Sequence, residues 1–216
     1  MGILYGHRCV LCGADFPVTT SRTLQLCPDC AAAVRREYRC NEVISIAGAD
    51  GTIAPLYYRG TVQNAMKRFK FNGAAYCADW FAAQTSVALT SQLEEWQPDL
   101  ITYMPIGFLH YRKRGYNQAE LLAKLTAKPL SLPCEATLRK RWFVGRQSAQ
   151  KDYAARQSNA KDAVLPKGSV DLTEKSVVLV DDIITTGATA AAAVKALREM
   201  GAIRVYVLAA TFTPMK

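Results

Sequence analysis

The order of elements around one apolar run constrains this chain most. Residues 176–182, SVVLVDD, lead through small residues into an alanine-rich stretch, and a second apolar run, IRVYVLAATF, follows at residues 203–212. Short unbroken apolar runs read as strands buried on both faces, the kind found in parallel sheets. Between them, residues 189–200 read as a helix that Gly201 stops. The same alternation runs upstream. TIAPLYY (52–58) reads as a strand, VQNAMKRFK (62–70) as a short helix with a basic face, and 75–95 as a longer helix ended by Pro98. DLITYMP (99–105) reads as a buried strand closed by proline. After Gly115, Asn117 is placed to cap a helix, Glu120 completes a capping-box pattern, and Leu121, Leu122 and Leu125 form its buried stripe, with Glu120 and Lys124 paired at i, i+4. Strands alternating with helices predict an α/β fold, a parallel sheet with helices on both faces.

Residues 129–170 break the pattern. They are polar, basic and weakly periodic, which predicts a functional loop or a flap with some strand content. Residues 139–161 hold seven basic residues (Arg139, Lys140, Arg141, Arg146, Lys151, Arg156 and Lys161) against Asp152 alone, so they carry +6 of the chain's formal +9. A second basic cluster is YRKRGYNQ at 111–118. Single-sign clustering favours phosphate-bearing partners, nucleic acid or a polyphosphorylated small molecule, over a plain solvated face. No apolar run approaches the roughly 20 residues of a membrane span, and no signal-peptide pattern opens the chain. The expectation is a cytoplasmic protein with reduced thiols.

The first 45 residues contain five of the seven cysteines and only short, weak element patterns. Cys9 and Cys12 (CVLC), and Cys27 and Cys30 (CPDC), form two C-x-x-C knuckles 14 residues apart. Each knuckle aims two thiolates at one point, and two knuckles make a closed tetrahedral site for a structural Zn²⁺. Cys40 stands as an alternative ligand; Cys77 and Cys134 read as core or loop residues and His7 as incidental. The chain divides on this reading into a zinc-ribbon domain at 1–50 and a larger domain at 51–216.

Two adjacent carboxylates, Asp181 and Asp182, close the central apolar run. At about 5 Å and an effective dielectric near 20 they repel by roughly 3 kcal/mol, so something must compensate. Ligands of open parallel sheets bind beyond the carboxyl ends of strands. There the two acids suit vicinal sugar hydroxyls, and the turn through Thr185, Thr186, Gly187, Ala188 and Thr189 leads into a helix N-terminus that favours a phosphate.

The string VVLVDDIITTGAT (177–189) resembles the ribose 5-phosphate signature of type I phosphoribosyltransferases. That resemblance implies phosphoribosyl pyrophosphate (PRPP) as ligand, the acids on the ribose 2′ and 3′ hydroxyls, the turn on the 5-phosphate, and Mg²⁺ carried mainly on PRPP's own oxygens. Together with the cysteine knuckles, FKFNG (69–73), RGYNQAELLA (114–123) and Gln147, Arg156 and Asn159, the chain resembles the ComF-type competence proteins over nearly its whole length. The implied role is DNA uptake in natural transformation at the cytoplasmic face of the uptake machinery. The implied partners are single-stranded DNA, a DNA-translocating ATPase and other DNA-processing factors, with a homodimer by analogy to phosphoribosyltransferases.

If the site is catalytic, a nitrogen nucleophile displaces pyrophosphate from C1 of the ribose, and Lys70, Arg112 and Arg114 are the candidates for the pyrophosphate side. Arg139, Lys140, Arg141, Arg146, Lys151 and Arg156 are the candidates for nucleic acid, interleaved with Tyr111, Tyr116, Trp142, Phe143 and Tyr153 for stacking. By its position, the loop 139–161 also resembles the flap that closes over pyrophosphate in amide-transferring phosphoribosyltransferases. No residue identifies an accepting base. Three readings stand: a DNA-uptake factor with a PRPP site, a nucleotide-salvage transferase, and a non-catalytic PRPP sensor.

Overall fold

A computed structural model describes residues 7–16, 25–71, 73–140, 164–168 and 170–214. Strands β1 (His7–Arg8) and β2 (Asp15–Phe16) pair antiparallel around the first cysteine knuckle. Helix α1 (Pro28–Ala33) opens on the proline of the second and continues into a π-helical turn at Val34–Tyr38. There follow β3 (Gly51–Ile53), β4 (Leu56–Tyr57), α2 (Gly60–Phe71), α3 (Cys77–Thr90), α4 (Leu93–Trp96), β5 (Leu100–Tyr103), α5 (Phe108–Arg114) and α6 (Gln118–Ala127). The chain continues with β6 (Leu138–Lys140), β7 (Val164–Pro166), β8 (Ser176–Ile184), α7 (Ala188–Glu199) and β9 (Arg204–Phe212).

The central sheet runs β3-β9-β8-β5, with β4 pairing β9 beyond β3, and every pairing in it is parallel. The expected α/β architecture is present. Strand pleating sorts side chains to two faces. Val178, Val180, Leu208 and Ala210 join Met66, Phe69, Phe81 and Leu122 of α2, α3 and α6 in one core. Val177, Leu179, Val205, Val207 and Ala209 join Ala193, Val194 and Leu197 of α7 in the other. The first core also contains Val10 and Leu11 of the cysteine knuckle, and the Arg68 guanidinium donates to both their carbonyls at 2.7 and 2.8 Å.

Four local expectations change. The strand expected over 52–58 is two, because Pro55 between them has no N–H for a ladder. The helix expected over 75–95 starts at Cys77 and breaks after Thr90, where Thr90 and Ser91 hydroxyls donate to the Ser86 and Ala88 carbonyls and Gln97 turns left-handed after α4. Asn117 does cap α6, its Oδ1 accepting from the Ala119 N–H at 3.1 Å, but no capping box closes: the Glu120 carboxylate accepts from Lys124 at 2.7 Å. The buried face of α6 is Leu122, Ala123, Thr126 and Ala127, with Leu121 and Leu125 only half-buried.

Residues 129–170 contain the short antiparallel pair β6–β7; residues 141–163 lie outside the described part. Among the described residues no helix is long and apolar enough to cross a membrane.

Candidate functional site at the carboxyl end of the central strand

The acidic pair lies inside a strand, not beyond its end. β8 runs nine residues to Ile184, held by a β9 of equal length that pairs Asp181 with Ala209 and Ile183 with Thr211. Being adjacent, the acids fall on opposite faces. Asp182 shares the parity of Val178 and Val180 and turns toward α2, where its Oδ2 lies 2.9 Å from the Lys70 ammonium. It is nearly buried, and its carbonyl accepts from the Thr211 hydroxyl at 3.0 Å. Asp181 shares the parity of Val177 and Leu179. Its Oδ1 accepts from the Asp182 N–H at 2.8 Å.

The pleat and Lys70 answer part of the repulsion. Burial, and then the Asp182 charge, push the Asp181 carboxyl up to about 7, against the opposing pull of the Asp182 N–H and Lys70. Burial also lowers the pKa of the Lys140 ammonium on β6, with Asp181 pulling it back up. Tyr58, just past β4, is raised by burial and by the Asp182 charge. The two acids therefore differ in their surroundings: Asp182 faces Lys70, and Asp181 is the one whose carboxyl is pushed up.

Downstream, Thr185, Thr186, Gly187, Ala188 and Thr189 wrap a cavity of about 110 Å³ that also touches Asp181. Gly187 has φ +74°, and a Cβ there would run into the Ile46 side chain, so the turn requires glycine. Thr185, Thr186, Ala188 and Thr189 are exposed, and the first-turn N–H groups of α7 have no intrahelical acceptors. Anionic groups suit that position.

Arg112 and Arg114 lie on helix α5, which ends at Gly115, whose N–H donates to the Tyr111 carbonyl at 2.7 Å. Arg114 donates to Gln118 Oε1 at 3.0 Å and stands 5.0 Å over the Phe71 ring at the end of α2. Arg112 is exposed, 5.8 Å from the Phe108 ring centre. Arg139 pins the β6–β7 hairpin, its Nε donating to the Pro166 carbonyl at 3.0 Å. Tyr116 packs 5.7 Å from Phe69 and donates its hydroxyl to the Phe69 carbonyl, a core contact. Arg141, Arg146, Lys151, Arg156, Lys161, Gln147, Asn159, Trp142, Phe143 and Tyr153 lie outside the described residues.

One feature escaped the sequence reading. A cavity of about 720 Å³ opens between α5 and β6, lined by Tyr103, Ile106, Leu109, Tyr111, Leu138 and Lys140 among others. Its sequence signal was the apolar half of FLHYRKR, in which Phe108, Leu109 and Tyr111 are exposed. Lys140 belongs to this wall and also feels the Asp181 charge.

The four knuckle cysteines converge. The Sγ atoms of Cys9, Cys12, Cys27 and Cys30 lie within 4.8 Å of one another, with Cys12 and Cys27 at 3.7 Å. A tetrahedral ion with thiolate bonds of about 2.3 Å needs sulfur–sulfur edges of about 3.8 Å, so this donor set fits a metal ion. Burial opposes ionisation of Cys9, but the N–H groups of Cys12, Cys27 and Leu11 outweigh it and lower its thiol to about 7. Burial raises the thiols of Cys30 and Cys27. Cys40 stands apart from the cluster and packs against the second core, so it replaces none of the four. Cys77 is buried in the first core and Cys134 packs at its edge.

Comparison with curated proteins gives no match. Among solved structures, the chain is similar to glutamine PRPP amidotransferase from B. subtilis, at 26% identity and a TM-score of 0.43 over 64% of this chain and 26% of that one. It thus spans about a quarter of the amidotransferase's length. It is also similar to a purine phosphoribosyltransferase from Pyrococcus horikoshii (19% identity, TM-score 0.39, 63% of this chain and 83% of that one). An adenine phosphoribosyltransferase from Thermoanaerobacter pseudethanolicus shows 18% identity and a TM-score of 0.40 over 67% of this chain and 84% of that one. The family model for the phosphoribosyl transferase domain matches residues 117–213, which include β8, the acidic pair and the turn into α7. That stretch is a phosphoribosyltransferase-type domain.

Proposed function

We propose that the protein binds Mg²⁺-PRPP at the carboxyl end of β8 and acts as a ComF-type DNA-uptake factor. One observation carries the ligand: Asp181, next to Asp182 in β8, and the small-residue turn into α7 border the same cavity of about 110 Å³, within the matched domain. Asp181 and Asp182 hold the vicinal ribose hydroxyls, and the backbone and hydroxyls of Thr185, Thr186, Gly187, Ala188 and Thr189 hold the 5-phosphate. Mg²⁺ neutralises pyrophosphate oxygens on the ligand itself. Arg112 and Arg114 supply the cations for the leaving pyrophosphate should a nitrogen nucleophile attack C1.

The DNA-uptake setting rests on the sequence resemblance, the four-cysteine cluster and the basic residues. Single-stranded DNA tracks Arg139, Lys140 and the basic residues 141–156, and a DNA-translocating ATPase and DNA-processing factors are the protein partners. Cys9, Cys12, Cys27 and Cys30 hold a structural Zn²⁺. Residues 1–50 and 51–216 form the zinc-ribbon and phosphoribosyltransferase-like domains, of a cytoplasmic homodimer at the inner face of the membrane. Calorimetric titration of the zinc-loaded protein with Mg²⁺-PRPP tests the core of this reading. Saturable binding, lost in Asp181→Ala/Asp182→Ala, is expected; no binding at millimolar ligand sinks it. Single-stranded DNA affinity should fall steeply as salt rises to physiological strength.

The cavity of about 720 Å³ favours a second reading, a nucleotide-salvage transferase. Its aromatic and apolar wall suits a flat heteroaromatic acceptor. DNA-independent consumption of a free base with release of pyrophosphate would select this reading over the first.

A further inference from the structure

The last turn of α2 fixes where Lys70 can reach. Phe69 is fully buried and stacked 6.2 Å from Phe81, and its carbonyl accepts from the Tyr116 hydroxyl and the Gln118 amide. One residue earlier, Arg68 is anchored on the carbonyls of Val10 and Leu11. With the two preceding residues held, the Lys70 ammonium lies 2.9 Å from Asp182 Oδ2, with side-chain exposures of 18% and 12%. An ammonium committed to a carboxylate at that distance must give up the contact before it can serve a pyrophosphate.

We propose that Lys70 is a positioning residue: its ammonium holds the Asp182 carboxyl oriented on the α2 face of β8 and leaves Asp181 without that restraint. The charges around the pair fit this division. Asp182 meets Lys70 from α2 and Tyr58 from the segment after β4, with the Thr211 hydroxyl of β9 on its carbonyl. Asp181 feels the charges of Lys140 from β6 and of Lys70, and it borders one small cavity with the turn into α7, whose residues 185–189 carry no charge. Lys70 thus pairs directly with Asp182, while burial lowers the pKa of Lys140, the β6 lysine that feels the Asp181 charge. The pair then presents one carboxyl held by Lys70 and one without that restraint to two vicinal hydroxyls. That last point rests on the PRPP reading; the pairing of Lys70 with Asp182 does not.

The test uses the full-length, metal-loaded protein with Lys70→Met and Lys70→Arg. Carboxyl ¹³C resonances of aspartate-labelled protein, titrated without ligand, should show the pair's upper midpoint rising by about one pH unit or more in Lys70→Met and returning in Lys70→Arg. A midpoint that stays within about 0.3 unit overturns the proposal. Calorimetry with Mg²⁺-PRPP and with ribose 5-phosphate then separates the roles. A positioning residue weakens both ligands by a similar factor, about tenfold for each pH-unit equivalent lost. A loss confined to PRPP makes Lys70 a pyrophosphate ligand and overturns the proposal. If the unaltered protein binds neither sugar phosphate, the PRPP reading fails, while the carboxyl titration still decides the role of Lys70.

Discussion

Asp181 and Asp182 show how one residue's shift along a strand changes its chemistry. The adjacent acids were legible in the sequence and so was their link to the small-residue turn. Their difference was not, because it depends on which face of the sheet carries α2 and which carries β6. The raised Asp181 carboxyl has a stability consequence. Its folded value, about 7, lies above the ordinary carboxyl value of the unfolded chain. Between those pH values the folded state keeps a proton that the unfolded state has lost, so this group's contribution is present at low pH and fades as pH rises toward 7. Thermal melting of Asp181→Asn should lack that slope: relative to it, the natural protein loses melting temperature between about pH 4.5 and 7.5. Parallel curves would show that Asp181 titrates normally. At Gly187, alanine needs a left-handed backbone and meets Ile46, so Gly187→Ala should lower stability by about 1–3 kcal/mol, read as a drop in melting temperature.

At the scale of elements, periodicity located most strands and helices but not their breaks. A nine-residue strand such as β8 is visible because both its faces are covered and every position but the acids is apolar or small. The split at Pro55, the break after Thr90 and the helix at Phe108–Arg114 depend on local bonding that hydrophobic pattern does not encode. Helix α2 has the most consequential placement. Its final turn places Arg68 on the cysteine knuckle and Lys70 on Asp182, two contacts from residues two apart. Arg68→Ala removes two hydrogen bonds from a charged donor and should cost about 2–4 kcal/mol, measurable by denaturant unfolding. A loss below about 0.5 kcal/mol would mean the knuckle is held by its cysteines alone.

Across the whole molecule, the cysteine cluster and the sheet share one core. Val10 and Leu11 pack in the same buried cluster as Met66 and Phe69, while Cys9, Cys27 and Cys30 are themselves buried. Removing the metal should therefore destabilise more than the first 50 residues. Chelation is expected to lower the melting temperature of the whole chain in one transition and to expose the four knuckle thiols to a thiol reagent. Two separate transitions, the main one unmoved, would show that the sheet is indifferent to the knuckles. Order and spacing along the chain were enough for the parallel α/β sheet, the four-thiol cluster, and the acidic strand leading into a small-residue turn. These rest on period, residue type and separation, which are properties of a linear string. The opposite-facing acids, the Lys70 ion pair, the shared core and the cavity beside α5 appeared only on folding, because each joins residues whose nearness is set by how helices seat on the sheet.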